Sequence, residues 1–149
     1  MRAVVQRVLE ASVSVSGEVI SQIENGLMVF IGINQCDNDR SSDYIADKIV
    51  NLRIFEDDDG KMNRSLMDIG GAALIVSQFT LYGDARRGRR PSFTGAMAGE
   101  PARSIFEALC TKVEASSVRV ERGIFGAEMQ VSLINDGPVT VLLDSEKEF

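Results

Sequence analysis

The segment Ser77-Gln78-Phe79-Thr80-Leu81 brings two hydroxyl side chains to the point where polarity returns after an apolar run. A serine or threonine hydroxyl becomes an effective nucleophile when a neighbouring base removes its proton. The chain has no histidine, and its lysines are distant in sequence from both hydroxyls. The sequence therefore excludes a Ser-His-Asp relay and a histidine-ligated metal. Successive backbone N–H groups remain available to stabilise an oxyanion, because a strand ending in a turn can aim them at one point.

A second group with possible chemistry is a cluster of arginines, namely Arg86, Arg87, Arg89 and Arg90. The chain carries 16 basic and 22 acidic residues, which gives a net charge of −6. Without the four arginines of this cluster, 12 basic and 22 acidic residues remain, with a net charge of −10. The planar guanidinium binds phosphate oxygens in a bidentate manner, which favours phosphate recognition. A merely solvated loop is the alternative. The overall negative charge argues against DNA as a partner.

Other candidates for metal or redox chemistry are weak. Cys36 and Cys110 are too far apart for a CxxC pair, and we predict that both thiols are reduced, with Cys110 in the core. The acidic run 56–60 lacks the first aspartate of an EF-hand loop, because Phe55 occupies that position. We predict a turn there, and neither a metal nor a cofactor.

The first part of the chain has the patterns of strands followed by a helix. Apolar residues alternate with serines over 11–16, which predicts a strand that ends at Gly17. Apolar runs over 19–23 and 27–33 flank Asn25-Gly26, a dipeptide typical of a type I′ hairpin. Between Ser41 and Leu52 the apolar spacing changes to that of a helix. The continuous apolar run 72–76 predicts a strand covered on both faces.

The second half has the patterns of a helix followed by strands. Glu100-Pro101 begins a second predicted helix, whose apolar face includes Ile105, Leu109 and Val113. Two further strands are predicted around 129–133 and 139–143, joined by a turn at Asn135-Asp136-Gly137-Pro138. The Gly137–Pro138 bond is expected to be trans on local preferences, since only about 5–6% of X-Pro bonds in folded proteins are cis. The predicted element order is βββ-α-β-α-βββ.

Length and composition set the protein class. A chain of 149 residues, 44% hydrophobic, suits a single domain over 1–149. The N-terminal segment lacks the apolar run of a signal peptide, and no stretch is apolar enough to span a membrane. We expect a cytoplasmic protein with no membrane partner.

Two motifs and both ends of the chain resemble one family. These are Ser77-Gln78-Phe79-Thr80-Leu81, Asn135-Asp136-Gly137-Pro138-Val139-Thr140, the opening Met1-Arg2-Ala3-Val4-Val5-Gln6-Arg7-Val8 and the loop Gly88-Arg89-Arg90-Pro91-Ser92-Phe93. Together they resemble the D-aminoacyl-tRNA deacylases over essentially the whole chain. The resemblance implies an α/β protein with a three-layer β/β/α fold, mixed sheets and two helices. It also implies a homodimer with its two sites at the subunit interface.

The resemblance assigns roles to particular residues. The Gly137–Pro138 bond would be cis, and the dipeptide would enter the other subunit's site, where its backbone carbonyls hold the substrate's α-ammonium and exclude an L side chain. Arg7 would support this dipeptide. The residues Ser77, Gln78, Phe79 and Thr80 would line the pocket for the aminoacylated terminal adenosine. The substrates implied are D-aminoacyl-tRNA and glycyl-tRNA, with no cofactor. For the arginine cluster, we predict from its charge that it contacts phosphates of the acceptor stem.

The missing histidine is consistent with this activity. An aminoacyl ester on the terminal ribose has a vicinal hydroxyl that can position or activate water, so the protein need supply no side-chain base. Two other functions stay open from sequence. One is a non-catalytic RNA-binding module that uses Arg86 to Arg90, and the other is a metal-dependent hydrolase built on the aspartates.

Overall fold

The computed structural model describes residues 1–148. They form two α-helices and eight strands in the order βββ-α-βββ-α-ββ, with a 3₁₀ turn at Phe79–Tyr82 before the second helix. The helices are α1 (Asp39–Asn51) and α2 (Gly99–Glu114). The strands are β1 (Arg2–Val15), β2 (Glu18–Ile23), β3 (Gly26–Gly32), β4 (Phe55–Glu56), β5 (Met62–Arg64), β6 (Ala72–Ser77), β7 (Arg119–Arg122) and β8 (Gln130–Asp144).

The predicted hairpin at Asn25-Gly26 is wrong, because β2 and β3 do not pair with each other. Strand β2 pairs antiparallel with the second half of β1, and β3 pairs antiparallel with the first half of β1. Strands β2 and β3 therefore lie end to end along the same edge of β1. The two-residue turn is instead Ser16-Gly17, where φ is 53° and 85°, the positive values that a type I′ turn requires. Gly26 serves another purpose, since a Cβ there would lie 1.9 Å from the carbonyl oxygen of Ala72.

The central strands β3 and β6 run parallel and are covered on both faces. On one face, Leu27, Val29, Ala73 and Ile75 belong to a core that includes residues of α1 and α2. On the other face, Met28 and Leu74 pack with residues of β1 and β2 in a second core. Two cores separated by one sheet establish the three-layer β/β/α arrangement, and the prediction for 72–76 is confirmed.

Both predicted helices are present, and each begins slightly earlier than expected. Asn38 caps α1, and its side chain accepts a hydrogen bond of 3.0 Å from the N–H of Arg40. Helix α2 begins at Gly99, with Pro101 in its first turn. Cys110 is fully buried, as predicted, and burial raises the pKa of its thiol to about 12. Neither helix within residues 1–148 has the length and apolarity needed to cross a bilayer.

The C-terminal hairpin predicted at 135–138 is also wrong. Residues 130–144 form one long strand, β8, which pairs antiparallel with nearly the whole of β1. Between Asn135 and Thr140 the register shifts, and the intervening residues of β8 bulge out opposite Arg7. The sequence interpretation also missed the short hairpin of β4 and β5. A turn was predicted over 56–60, but Glu56 belongs to β4 and the turn covers only 57–60.

Candidate active site

A cavity of about 560 Å³ opens at the carboxyl ends of β3 and β6. Its lining is mostly apolar and comes from β3, β6, α2 and the segment before β8. The residues are Ile31, Ile33, Val76, Ser77, Gln78, Phe79, Phe93, Ala96, Met97, Ala98, Gly99, Ala102, Phe125, Gly126, Ala127, Met129 and Val131. Three of the four residues predicted from the Ser-Gln-Phe-Thr motif therefore line one cavity, and Thr80 lies outside this lining.

The chain leaves the sheet at this motif through a tight turn. The N–H of Gln78 still donates to the carbonyl of Ile31 at 2.7 Å, which is the last backbone bond between this segment and β3. The 3₁₀ turn then begins, and its first internal bond runs from the N–H of Leu81 to the carbonyl of Gln78 at 3.2 Å. As a result, the N–H groups of Phe79 and Thr80 have no backbone acceptor among the residues described. Phe79 lines the cavity, and Thr80 is the residue that follows it.

The hydroxyl of Thr80 has no base beside it. Within residues 1–148 its only hydrogen-bond partner is the side-chain amide of Gln78, whose Nε2 donates to the threonine oxygen. An amide cannot remove a proton from a hydroxyl at neutral pH, so nothing in this contact activates Thr80 as a nucleophile.

The last residue of the 3₁₀ turn, Tyr82, stabilises the turn through contacts with β1 and with Asn34. The guanidinium of Arg2 lies 4.8 Å from the centre of the Tyr82 ring, and Asn34 Nδ2 donates to the Tyr82 hydroxyl at 3.2 Å. Burial, with a smaller contribution from the charge of Asp37, raises the pKa of Tyr82 well above its usual value, so the hydroxyl is neutral at physiological pH. These contacts fix the backbone that carries the motif.

The loop that carries the arginine cluster, called the arginine loop below, begins after Asp84 and ends before Ser92, at the mouth of the cavity. Asp84 and Ser92 form a two-bond bridge, with N–O distances of 2.8 and 2.9 Å, and Phe93 then enters the cavity lining. Phe93 packs edge-on against Phe79, with 5.2 Å between ring centres. In the loop, Arg86 forms an ion pair with Asp84. The other three arginines are exposed and form no ion pair with any residue in 1–148.

The bulge of β8 presents Gly137 and Pro138 to solvent. The peptide bond between them is cis, so the trans expectation from local preference is wrong and the isomer implied by the resemblance is present. Gly137 has φ of +117°, a conformation in which L side chains are strained. A Cβ at this position would lie 2.9 Å from Val139 Cγ2 and 3.0 Å from Arg7 Nη2. The positive φ and the lack of space for a Cβ both require glycine at position 137.

Three side chains hold the bulge in place. Arg7 is 6% exposed, and its Nη1 donates to the carbonyl of Ile54 at 2.6 Å, while its Nε lies 2.9 Å from Oδ2 of Asp136. Asn135 Nδ2 lies 2.9 Å from the carbonyl oxygens of both Arg7 and Val139, and so bridges the two ends of the bulge. Arg7 therefore contacts the bulge, and its role in supporting the Gly-Pro dipeptide stays a prediction, whereas the contacts of Asn135 and Asp136 were not predicted.

The cavity and the bulge do not meet within one chain. Arg7 pairs with Leu27, Leu27 pairs with Ala73, and Ser77 is four residues further along β6. Four strand residues span about 13 Å, and neither Gly137 nor Pro138 is among the residues that line the cavity. Both predicted parts of the site exist, but a single copy of the chain keeps them apart.

Comparison with known proteins identifies the family. Residues 4–144 match the family model described as D-Tyr-tRNA(Tyr) deacylase. The chain belongs to this family. It is 58% identical to the D-aminoacyl-tRNA deacylase of Fervidobacterium nodosum and 54% identical to that of Thermosipho africanus, over 100% of each chain in both cases. As a member of the deacylase family, the protein is an enzyme of the hydrolase class.

Solved structures show the same fold. A structure titled c-Myc DNA Unwinding Element Binding Protein superposes with a TM-score of 0.91 and 42% identity, covering 97% of this chain and 98% of that chain. A second, described as a probable eukaryotic D-amino acid tRNA deacylase, has a TM-score of 0.80 at 18% identity, covering 95% and 97%. The second likeness concerns the fold alone.

The deacylase cavity contains residues that sequence reasoning gave no role. Phe93, Met97, Phe125 and Met129 line it, although they belong to separate segments. No local pattern could have joined them, because their proximity depends on how α2 and β8 pack on the sheet. The described part of the chain holds no group of three or more Cys, Asp or Glu side chains placed to bind a metal ion.

Proposed function

We propose that this deacylase hydrolyses the ester of D-aminoacyl-tRNA at a site completed by a second copy of the chain. The observation that carries the proposal is the separation of about 13 Å between the Ser77 end of β6 and the level of Arg7. Gly137 and Pro138 are held rigidly and face solvent. In a homodimer this dipeptide would enter the partner's cavity, which would create two identical sites.

The exposed dipeptide is suited to select the D configuration. In the dimer, the carbonyls of Gly137 and Pro138 accept hydrogen bonds from the substrate's α-ammonium, and an L side chain would be directed into the same backbone atoms. Rejection by backbone atoms survives most substitutions, because it uses no side chain. Glycine has no side chain to reject, so glycyl-tRNA is a second substrate.

Catalysis in this proposal depends on backbone groups and on the substrate. The terminal adenosine occupies the cavity beside Ser77, Gln78, Phe79 and Thr80, and the free N–H groups of Phe79 and Thr80 stabilise the tetrahedral oxyanion. A water molecule attacks the ester carbonyl, and the vicinal ribose hydroxyl positions it. The carbonyl–ribose oxygen bond breaks, the ribose oxygen takes the proton, and the free amino acid and tRNA are released. The loop that contains Arg86, Arg87, Arg89 and Arg90 provides the tRNA-binding charge.

The direct test incubates the protein with D-tyrosyl-, L-tyrosyl- and glycyl-tRNA and measures the ester that remains. We expect rapid loss of the D-tyrosyl and glycyl esters and little loss of the L-tyrosyl ester. Binding without loss of any ester would leave only an RNA-binding module. Activity that a chelator abolishes and a metal restores would instead support a metal-dependent hydrolase.

A complementation experiment tests the shared site. Gly137→Ala removes the dipeptide's function, whereas Ala98→Trp fills the cavity at an exposed position. Each variant alone should hydrolyse D-tyrosyl-tRNA at least tenfold more slowly or without chiral selectivity, but a mixed dimer, purified with two different tags, has one intact site and should regain selective D-tyrosyl-tRNA hydrolysis. A mixed dimer without activity, or an active monomer, would contradict the proposal.

A further inference from the structure

We propose that Arg87, Arg89 and Arg90 bind phosphates of the unpaired 3′ end of the tRNA, and that Arg86 is a positioning residue that binds none. This inference rests on the proposed function, because it takes the terminal adenosine to occupy the cavity. The loop then binds the single-stranded 3′ end of the tRNA rather than the acceptor stem. The four arginines have two different roles, phosphate binding and positioning of the loop.

The anchoring of the loop determines which part of the tRNA it can reach. Phe93 lines the cavity directly after the bridge residue Ser92, and Gly83, directly before Asp84, packs against the Phe93 ring. The tip, Gly88, lies four residues from Asp84 and from Ser92, which limits its reach to about 13 Å from the cavity mouth. A terminal adenosine in the cavity places the next few phosphates within this distance, while the paired stem begins several nucleotides further away.

The four arginines differ in their available donors. Nε and Nη2 of Arg86 donate to the two carboxylate oxygens of Asp84 at 2.9 and 2.7 Å, and Asp84 Oδ1 also accepts the backbone N–H of Arg86 at 3.0 Å. The same contacts lower the pKa of Asp84 and raise that of Arg86, so both remain ionised. One edge of the Arg86 guanidinium is therefore paired with Asp84, which neutralises its charge, and the pair fixes the start of the loop.

The remaining arginines present unneutralised charge on an acidic protein. Arg87, Arg89 and Arg90 are exposed and have no carboxylate partner in residues 1–148. The chain outside the cluster has a balance of −10, so the rest of the protein taken together repels RNA phosphates. A flexible single strand can follow three closely spaced guanidinium groups, and each group binds phosphate in a bidentate manner.

The first test compares two substrates that differ in their phosphates, D-tyrosyl-tRNA and 3′-O-D-tyrosyl-adenosine. Single-strand phosphate contacts each contribute about 0.7 to the salt slope. If all three contacts are lost in Arg87→Gln/Arg89→Gln/Arg90→Gln, KM for the tRNA rises about 100-fold at 0.1 M salt and about 10-fold at 0.3 M. The ratio of kcat/KM for the tRNA to that for the adenosine ester falls accordingly.

A matched control removes the same charge elsewhere. Arg40, Arg53 and Lys61 are exposed and lie outside the cavity lining, so Arg40→Gln/Arg53→Gln/Lys61→Gln should leave the ratio within about twofold, because distant exposed charges are screened by salt. An equal fall in both triple variants would show a general charge effect and overturn the inference. If the wild-type protein hydrolyses neither substrate, the proposed function has failed instead, so the two failures are distinguishable.

The second test separates Arg86 from its neighbours. In fluorescence titrations with a short single-stranded RNA ending in CCA, Arg89→Gln should lower the salt slope by about 0.7, whereas Arg86→Gln should change it little. Asp84→Asn releases the Arg86 guanidinium and should raise the slope by about 0.7. An unchanged slope in Asp84→Asn, or equal losses for Arg86→Gln and Arg89→Gln, would overturn the division of roles. Equal affinity for a blunt RNA duplex would overturn the assignment to the unpaired end.

Discussion

The Nε of Arg7 lies 2.9 Å from Oδ2 of Asp136, so a buried residue of β1 holds the first residue of the bulge that carries Gly137. The same guanidinium donates to the carbonyl of Ile54, which connects the bulge to the segment after α1. Rigid presentation of the Gly-Pro dipeptide therefore depends on a residue that never needs to touch substrate.

Replacing Arg7 should loosen this support. Arg7→Gln leaves the Ile54 carbonyl and the partly exposed carboxylate of Asp136 without their partner, and hydrogen bonds to charged groups are worth about 1.5–3 kcal/mol. We expect the free energy of unfolding in urea to fall by about 2 kcal/mol, and discrimination between D- and L-tyrosyl-tRNA to weaken. As a control, Arg64→Gln removes an exposed contact to Asp58 and should cost less than about 0.5 kcal/mol. Unchanged discrimination in a folded Arg7→Gln protein would argue against the supporting role.

Gly137 should tolerate no side chain. Gly137→Ala introduces a Cβ within 2.9 Å of Val139 and 3.0 Å of Arg7, at φ of +117°, and such strain costs about 1–3 kcal/mol. We expect D-tyrosyl-tRNA hydrolysis to fall at least tenfold or chiral selectivity to be lost. Gly17→Ala carries a similar strain at φ of +85° with no atom within 4 Å, so it should lower stability while retaining selectivity. Equal selectivity in both variants would show that the dipeptide does not select the substrate.

Thr80 should be dispensable for the chemical step. Among residues 1–148 its hydroxyl has only the Gln78 amide as a hydrogen-bond partner, and Thr80 lies outside the cavity lining, so Thr80→Ala should retain substantial deacylation in single-turnover assays with enzyme in excess. The measurement requires a circular dichroism spectrum to show that the variant is folded. Complete loss of activity in a folded Thr80→Ala protein would restore the threonine as nucleophile.

The buried thiol of Cys110 should make stability fall at alkaline pH. Burial raises its pKa from 9.0 to about 12 in the folded protein, so above pH 9 the unfolded chain releases a proton that the folded chain retains. Stability must therefore fall as pH rises, by up to about 1.4 kcal/mol per pH unit. We expect urea unfolding between pH 9 and 10.5 to show a steeper fall for wild type than for Cys110→Ala. Parallel curves would contradict the assignment.

The sequence determined where most strands and helices lie and which segments carry the chemistry. Alternating apolar residues identified the second half of β1 and the two ends of β8, the wider spacing identified α1 and α2, and the Ser-Gln-Phe-Thr and Gly-Pro motifs indicated the family. These signals are local, because each depends on residues only a few positions apart. For that reason they could be found without knowledge of the fold.

The tertiary structure decided how the strands pair and where the motifs lie. Asn25-Gly26 favours a reversal locally, but β2 and β3 both gain partners along β1, and glycine is needed where Ala72 approaches. Similarly, pairing with β1 keeps 130–144 in one strand and turns the expected hairpin into the bulge at Gly137. The distance between that bulge and the cavity at Ser77 depends on strand register, which only long-range contacts can set.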